Sequence, residues 1–294
     1  MIERHTYSLP LRRLARRATR LSPALGLGPT LGLGLALGLT ALSAAPAMAR
    51  DQKDVLQAAI LPGWRTEDGA RMVALRLDLA PKWKTYWRAP GDAGIPPSFD
   101  WSGSENVKSV RYHWPRPVVF KTNGMQTIGY HDRLVLPVEV VPRDASKPVV
   151  LRTRVDLGIC NEICMPAAIE LSARLEGPGA PDRMINEALA DRPATAGEAG
   201  LSGIACTVEP SKDGLTLRAR MDMPSLGADE TVVIEAGPEI WVDETDTRRT
   251  GGALMAEAEM ISDDRAPFAL DRSTLTVTVI GSDRAVEIKG CPAP

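Results

Sequence analysis

The chain has 294 residues, with 35 basic against 37 acidic side chains, three histidines and four cysteines. That near-balance, with no basic patch interleaved with aromatics, excludes nucleic acid as a partner. Few histidines and no Cys-x-x-Cys argue against a metal centre.

In chain order, residues 1–49 read as an export signal: Arg12, Arg13, Arg16, Arg17 and Arg20 form a basic start, and Leu31 to Leu42 is an apolar run. Ala47-Met48-Ala49 offers a small-x-small cleavage site, so cleavage is expected after Ala49. The apolar run is short against the ~20 residues of a spanning helix; an uncleaved membrane anchor is the alternative. The segment holds six of the basic residues and one of the acidic ones, so the mature chain keeps 29 against 36, a net charge of −7. No later run reaches spanning length, so any membrane partner is expected to be another polypeptide.

From residue 51 to 176 strand patterns dominate. Leu75, Leu77 and Leu79 alternate with Arg76 and Asp78, and a second run spans Leu134 to Val141 with Pro137 inside it. Turn signals separate them at Pro90-Gly91-Asp92, Asn123-Gly124 and Pro142-Arg143-Asp144. Short strands at this density predict an all-β sandwich. Trp64, Trp83, Trp87, Trp101 and Trp114 crowd this region. Core packing is the ordinary reading; with Tyr86, Phe99 and Phe120, some of them are candidates to shield a site or rim an interface.

The most informative stretch runs from Val155 to Pro166 and carries Cys160 and Cys164. On one continuous strand their Cα atoms would lie roughly 13 Å apart, whereas a disulfide tolerates about 4.4–6.8 Å. One helical turn or a hairpin closes that gap. The hairpin is favoured: Leu151, Thr153, Val155 and Leu157 alternate before it, and Ile169, Leu171 and Ala173 after it. Pro166 would stop a helix at once. A bridge closing so small a ring stabilises by only about 2 kcal/mol in the chain-entropy model, a weak reason to keep it as a brace.

Gly177-Pro178-Gly179 interrupts the sheet pattern, Pro181 to Asp191 suits a short helix, and Pro193 to Gly200 is polar and flexible in composition. Strand patterns then return at Leu215, Leu217, Ala219, Met221 and Met223, at Leu275, Val277 and Val279, and at Val286 and Ile288. The expected division is a signal at 1–49, a β-sandwich at 50–178, a linker at 179–200 and a second, smaller β domain at 201–294. Cys206 and Cys291 lie near the ends of the last. Four cysteines allow three pairings; 160 with 164 and 206 with 291 keeps each bridge within one domain. The long bridge is worth about 4.6 kcal/mol on the same model and reads as structural, two separately reactive thiols being the alternative. Met221, Met223, Met255 and Met260 suit core-facing strand positions better than a copper site.

Two runs resemble a known family. Tyr130-His-Asp-Arg-Leu-Val-Leu-Pro137 followed by Asp156-Leu-Gly-Ile-Cys160-Asn-Glu-Ile-Cys164-Met-Pro166 is similar to the N-terminal periplasmic domain of the DsbD and ScsB thiol:disulfide interchange proteins. So is Trp83-Lys-Thr-Tyr-Trp87-Arg-Ala-Pro-Gly-Asp92 with Phe99-Asp-Trp101 beyond it. The chain looks most like a soluble, stand-alone form. The resemblance implies an immunoglobulin-like sandwich with the cysteine pair on a hairpin at one end, and a periplasmic thiol relay without cofactors. It implies Cys164 as the attacking residue, Cys160 as the resolving one, and Phe120 as the best candidate for an aromatic cap over the pair. The implied partners are a membrane-embedded thiol transporter on a separate chain, as electron donor, and periplasmic disulfide-containing or thioredoxin-like proteins. Three residues separate the cysteines here, fewer than in the best-known member, and the family's transmembrane region and thioredoxin-like domain have no counterpart in this sequence.

Exchange chemistry needs an accessible sulfur, a second thiol to resolve the mixed disulfide and a way to favour the thiolate. The sequence offers the first two, but no Lys, Arg or His adjoins the pair and Glu162 opposes a thiolate. The missing charge must come from elsewhere, with His131 and Arg133 as candidates. The competing reading is a non-catalytic periplasmic binding module for a protein or copper site, with two inert disulfides.

Overall fold

The computed structural model describes residues 51–122 and 124–294. The export signal and its cleavage site therefore lie outside the described residues. In the first part, α1 (Gln52–Val55) leads into β1 (Leu56–Arg65), β2 (Arg71–Leu79), β3 (Lys84–Gly91), β4 (Ser98–Asp100) and β5 (Val107–Tyr112). There follow β6 (Val118–Thr122), β7 (Met125–His131), β8 (Arg133–Pro142), β9 (Val149–Cys160), β10 (Cys164–Leu175) and α2 (Arg183–Ala190). The second part holds β11 (Ala194–Thr195), β12 (Gly203–Pro210), β13 (Leu215–Asp222), β14 (Thr231–Glu235) and β15 (Ile240–Val242). It ends with β16 (Asp246–Thr250), β17 (Ala253–Ser262), β18 (Thr276–Ile280) and β19 (Ala285–Lys289).

The first sandwich faces a sheet of order β1-β2-β8-β5 against one of order β10-β9-β3-β7-β6, with β4 added to β9. The period-two pattern that predicted these strands also fills the space between the sheets. Val73, Leu75 and Leu77 of β2 and Leu134, Leu136 and Val138 of β8 meet Leu151, Val155, Leu157 and Ile159 of β9. Trp83, Trp87 and Trp114 complete this core, so three of the five clustered tryptophans serve packing. The result is the immunoglobulin-like all-β architecture expected.

β2 is buried on both faces, which alternation alone does not announce. Its outer residues Met72 and Ala74 join Leu61 and the fully buried Ile185 of α2 in a satellite cluster. Burying one such side chain is worth about 1.5–3 kcal/mol. Asp182 starts α2, its carboxylate accepting from the backbone N–H groups of Met184 and Ile185.

The second sandwich pairs the sheet β11-β19-β18-β14 with β12-β13-β17-β15, to which β16 adds on β17. Leu217, Met221, Leu254, Met260, Val277, Val279 and Ile288 form its core. Met223 is buried there too, while Met255 stands on the opposite, half-buried face of β17, a departure from the core-facing expectation. The polar stretch 193–200 is more ordered than its composition suggests. Ala194 and Thr195 pair in parallel with Val286 and Glu287, and Ala199 is buried in the second core.

The two sandwiches touch. Ile280 and Ala285 of the second belong to the first one's core cluster. Arg88 of β3 reaches across as a fork: Nε and Nη2 donate to the Glu235 carboxylate at 2.9 Å each, and Nη2 also donates to Glu287 at 2.6 Å. Burial alone would lower the guanidinium pKa, but the two carboxylates outweigh it and the net direction is upward. Among the described residues no helix is long and apolar enough to cross a membrane.

Candidate functional site

The β9–β10 hairpin sets Cys160 directly opposite Cys164 and continues in register to the Val149–Leu175 pair. The three-residue loop of Asn161, Glu162 and Ile163 is closed by Asn161 N–H donating to Ile163 C=O at 3.3 Å. The two cysteines are disulfide-bonded with Cα atoms 4.1 Å apart, where a continuous strand would hold them roughly 13 Å apart. Cys206 and Cys291 form the other bridge, fully buried in the second core.

The two ends of the short bridge differ. Cys160 is 0% exposed, whereas Cys164 is exposed and Ile163 at the loop tip is 77% exposed. An incoming thiolate therefore finds one sulfur of the bridge open and the other closed.

What closes it follows from the period of two. Leu157 and Ile159 point into the core, which leaves Gly158 and Cys160 on the outer face of the sheet. On the adjacent β3, Lys84 is the register partner of Cys160, and Tyr86, two residues on, shares that face. The Tyr86 ring is 1% exposed, and its hydroxyl lies 2.7 Å from Cys160 Sγ and 3.3 Å from Cys164 Sγ. Disulfide sulfurs carry no proton, so the hydroxyl is the donor to both. Burial pushes the Tyr86 pKa up, keeping the hydroxyl protonated. Gly158 makes room for this ring: a Cβ there would sit 2.7 Å from Ile95 Cβ and 3.0 Å from two Tyr86 ring carbons. Ile95, in the loop that follows β3, thus borders the same corner.

Lys84 Nζ donates to Thr127 Oγ1 of β7 at 2.8 Å and sits 4.8 Å from the Phe120 ring centroid and 5.9 Å from that of Tyr86. Burial lowers its pKa, and no carboxylate offsets the shift. Phe120 lies half-buried on β6, its ring edge-on to His131 at 6.2 Å. It borders the site through Lys84, with β7 and β3 lying between its strand and β9.

Of the charges considered from sequence, His131 is engaged with Asp132 at 2.6 Å and Arg133 with Asp78. Neither adjoins the sulfurs in the hydrogen-bond network. Phe99 packs against Tyr112, 4.6 Å between centroids, at the edge of the first core. Sequence reasoning placed Tyr86 among several shielding aromatics and missed Lys84. The signal was present in Trp83-Lys-Thr-Tyr-Trp87, where two positions of spacing put Lys84 and Tyr86 on one face, opposite Trp83 and Trp87.

Residues 55–175 match the family model described as the N-terminal region of the thiol:disulfide interchange protein DsbD. The N-terminal periplasmic domain of ScsB from Proteus mirabilis superposes with a TM-score of 0.64 at 21% identity, covering 84% of this chain and 96% of that one. The reduced DsbD N-terminal domain of Neisseria meningitidis gives a TM-score of 0.27 at 14% identity, over 44% of this chain and 91% of that one. No curated protein matches the chain in sequence.

Proposed function

Residues 55–175 belong to the DsbD N-terminal family of thiol:disulfide interchange proteins, and we propose that the chain is a periplasmic electron carrier working through Cys160 and Cys164. The observation that supports this reading is the unequal exposure of the two sulfurs, with Cys164 open and Cys160 closed under Tyr86.

In the loading step a thiolate of a donor dithiol attacks Cys164 Sγ. A bond forms between the donor sulfur and Cys164, the Cys160–Cys164 bond breaks, and its electron pair leaves on Cys160 as a thiolate. The donor's second thiol loses its proton and attacks its own partner sulfur, releasing Cys164. The donor ends oxidised by two electrons, and Cys160 and Cys164 end as a dithiol. Unloading runs the same chemistry onto a client: the Cys164 thiolate attacks the client disulfide, and Cys160 then attacks Cys164 Sγ to release the client dithiol. The donor is a membrane-embedded thiol transporter on a separate chain, and the clients are periplasmic disulfide-containing or thioredoxin-like proteins. Residues 50–178 form the redox module in this reading, 179–200 the connector, and 201–294 a support whose Cys206–Cys291 bridge is structural.

Trapping tests the assignment. Cys160→Ala, which leaves Cys164 without a resolving thiol, is expected to accumulate mixed disulfides with periplasmic proteins on non-reducing gels, and Cys164→Ala is not. Equal trapping by both variants reverses or removes the roles. Titration of the unmodified protein against glutathione, with thiols captured by a mass tag, should reveal one labile pair and one resistant pair. Two equally resistant bridges would instead mark a binding module.

A further inference from the structure

Thiolate chemistry at Cys160 lacks a charge in its own hairpin, and the fold supplies one from the neighbouring strand. We propose that Lys84 is a positioning residue for the exchange reaction, its ammonium holding negative charge on Cys160 Sγ, directly and through the Tyr86 hydroxyl, whenever the bridge opens. The inference rests on the exchange reading above.

Three observations carry it. Lys84 and Cys160 are register partners on β3 and β9, so their side chains rise side by side on the outer face of the sheet. The ammonium is held in place rather than free: it donates to Thr127 Oγ1 at 2.8 Å and lies 4.8 Å from the Phe120 ring centroid and 5.9 Å from that of Tyr86. It is also unspent. The groups facing it are Thr127 and His131 from β7, Phe120 from β6, Tyr86 from its own strand and Cys160 from β9. None of these is a carboxylate, and His131 is already engaged with Asp132. A desolvated ammonium without a carboxylate gains most when a neighbouring group becomes an anion, and bridge opening creates that anion on Cys160. The downward pKa direction at Lys84 agrees with an unpaired, half-buried cation.

The loading step above then has a defined leaving group. As the donor sulfur bonds to Cys164, the electron pair passes to Cys160 Sγ, where the Tyr86 hydroxyl already donates at 2.7 Å. Lys84 lowers the basicity of that departing sulfur, and a less basic thiolate leaves faster. On unloading, the same pair of groups keeps Cys160 ionised for its attack on Cys164.

The test is the rate of opening of the Cys160–Cys164 bridge by dithiothreitol in the full mature chain, followed from neutral pH to about pH 11. Lys84→Met keeps the stem and removes the charge; it should slow opening by roughly three- to tenfold at neutral pH. The gap to wild type should close as pH rises through the Lys84 pKa and wild type loses the charge as well. Lys84→Arg, which stays charged throughout, should open at close to the wild-type rate at neutral pH and keep its advantage over Met at high pH. A Met variant within twofold of wild type at neutral pH overturns the proposal, as does a deficit that is the same at every pH or an Arg variant as slow as Met. Those outcomes leave the carrier assignment intact as long as Cys160→Ala still traps partners. Failure of that trapping removes the carrier reading itself.

Discussion

At the scale of single residues, the site is an asymmetric pair of sulfurs under one hydroxyl. The cysteines and their hairpin were legible because local spacing constrains them: a four-residue separation flanked by alternating apolar positions leaves few ways to close a bridge. The Tyr86 contact was not, since its two sulfur partners lie 74 and 78 residues away and only strand pairing brings them together. Tyr86→Phe separates the hydroxyl from the ring that fills the space beside Gly158. A hydrogen bond to a charged group is worth about 1.5–3 kcal/mol, and about 1.4 kcal/mol is tenfold in rate. The variant is therefore expected to melt within a few degrees of wild type, while reduction of the short bridge by dithiothreitol slows roughly tenfold. An unchanged reduction rate would show that the hydroxyl contact plays no part in bridge opening.

At the scale of elements, β3 explains more of the site than its sequence suggested. Its inner face, Trp83 and Trp87, belongs to the core, and its outer face carries Lys84 and Tyr86. The indole content of Trp83 to Trp87 drew the reading toward packing, which was correct for the tryptophans and hid the polar residues between them. The double burial of β2 escaped for a related reason: alternation reports one buried face, and α2 covers the other from more than 100 residues downstream. β9 makes the complementary demand. Gly158 lacks a side chain because Tyr86 and Ile95 already fill its position. Gly158→Ala must push the ring or the loop carrying Ile95 outward, an overpacking cost of about 1–3 kcal/mol. The variant should melt at lower temperature and, after reduction, alkylate at Cys160 faster than wild type. Alkylation at the wild-type rate would mean that Cys160 is closed off by something other than the ring beneath Ile95.

At the scale of the whole molecule, β3 links the redox corner to the second sandwich. Lys84, Tyr86 and Arg88 follow one another at two-residue steps, the first beside Cys160, the second bonded to it, the third forked onto Glu235 and Glu287. This half-buried, forked ion group ties the second sandwich to the strand that shapes the site. The two disulfides divide the labour by loop length. In the chain-entropy model the bridge from Cys206 to Cys291, 85 residues apart, stabilises by about 4.6 kcal/mol, and the four-residue bridge by only about 2 kcal/mol. Replacing both Cys206 and Cys291 with serine should therefore cost about 2–5 kcal/mol of stability, a drop in melting temperature of roughly 2–4 °C per kcal/mol for a chain of this size. Below the new transition the opening rate of Cys160–Cys164 should stay within about twofold of wild type, because one bridge lies in the second core, the other on the outer face of the first sandwich, and they share no partner residue. A double-serine protein that melts like wild type yet loses exchange would move the second bridge from a structural role into the thiol relay itself.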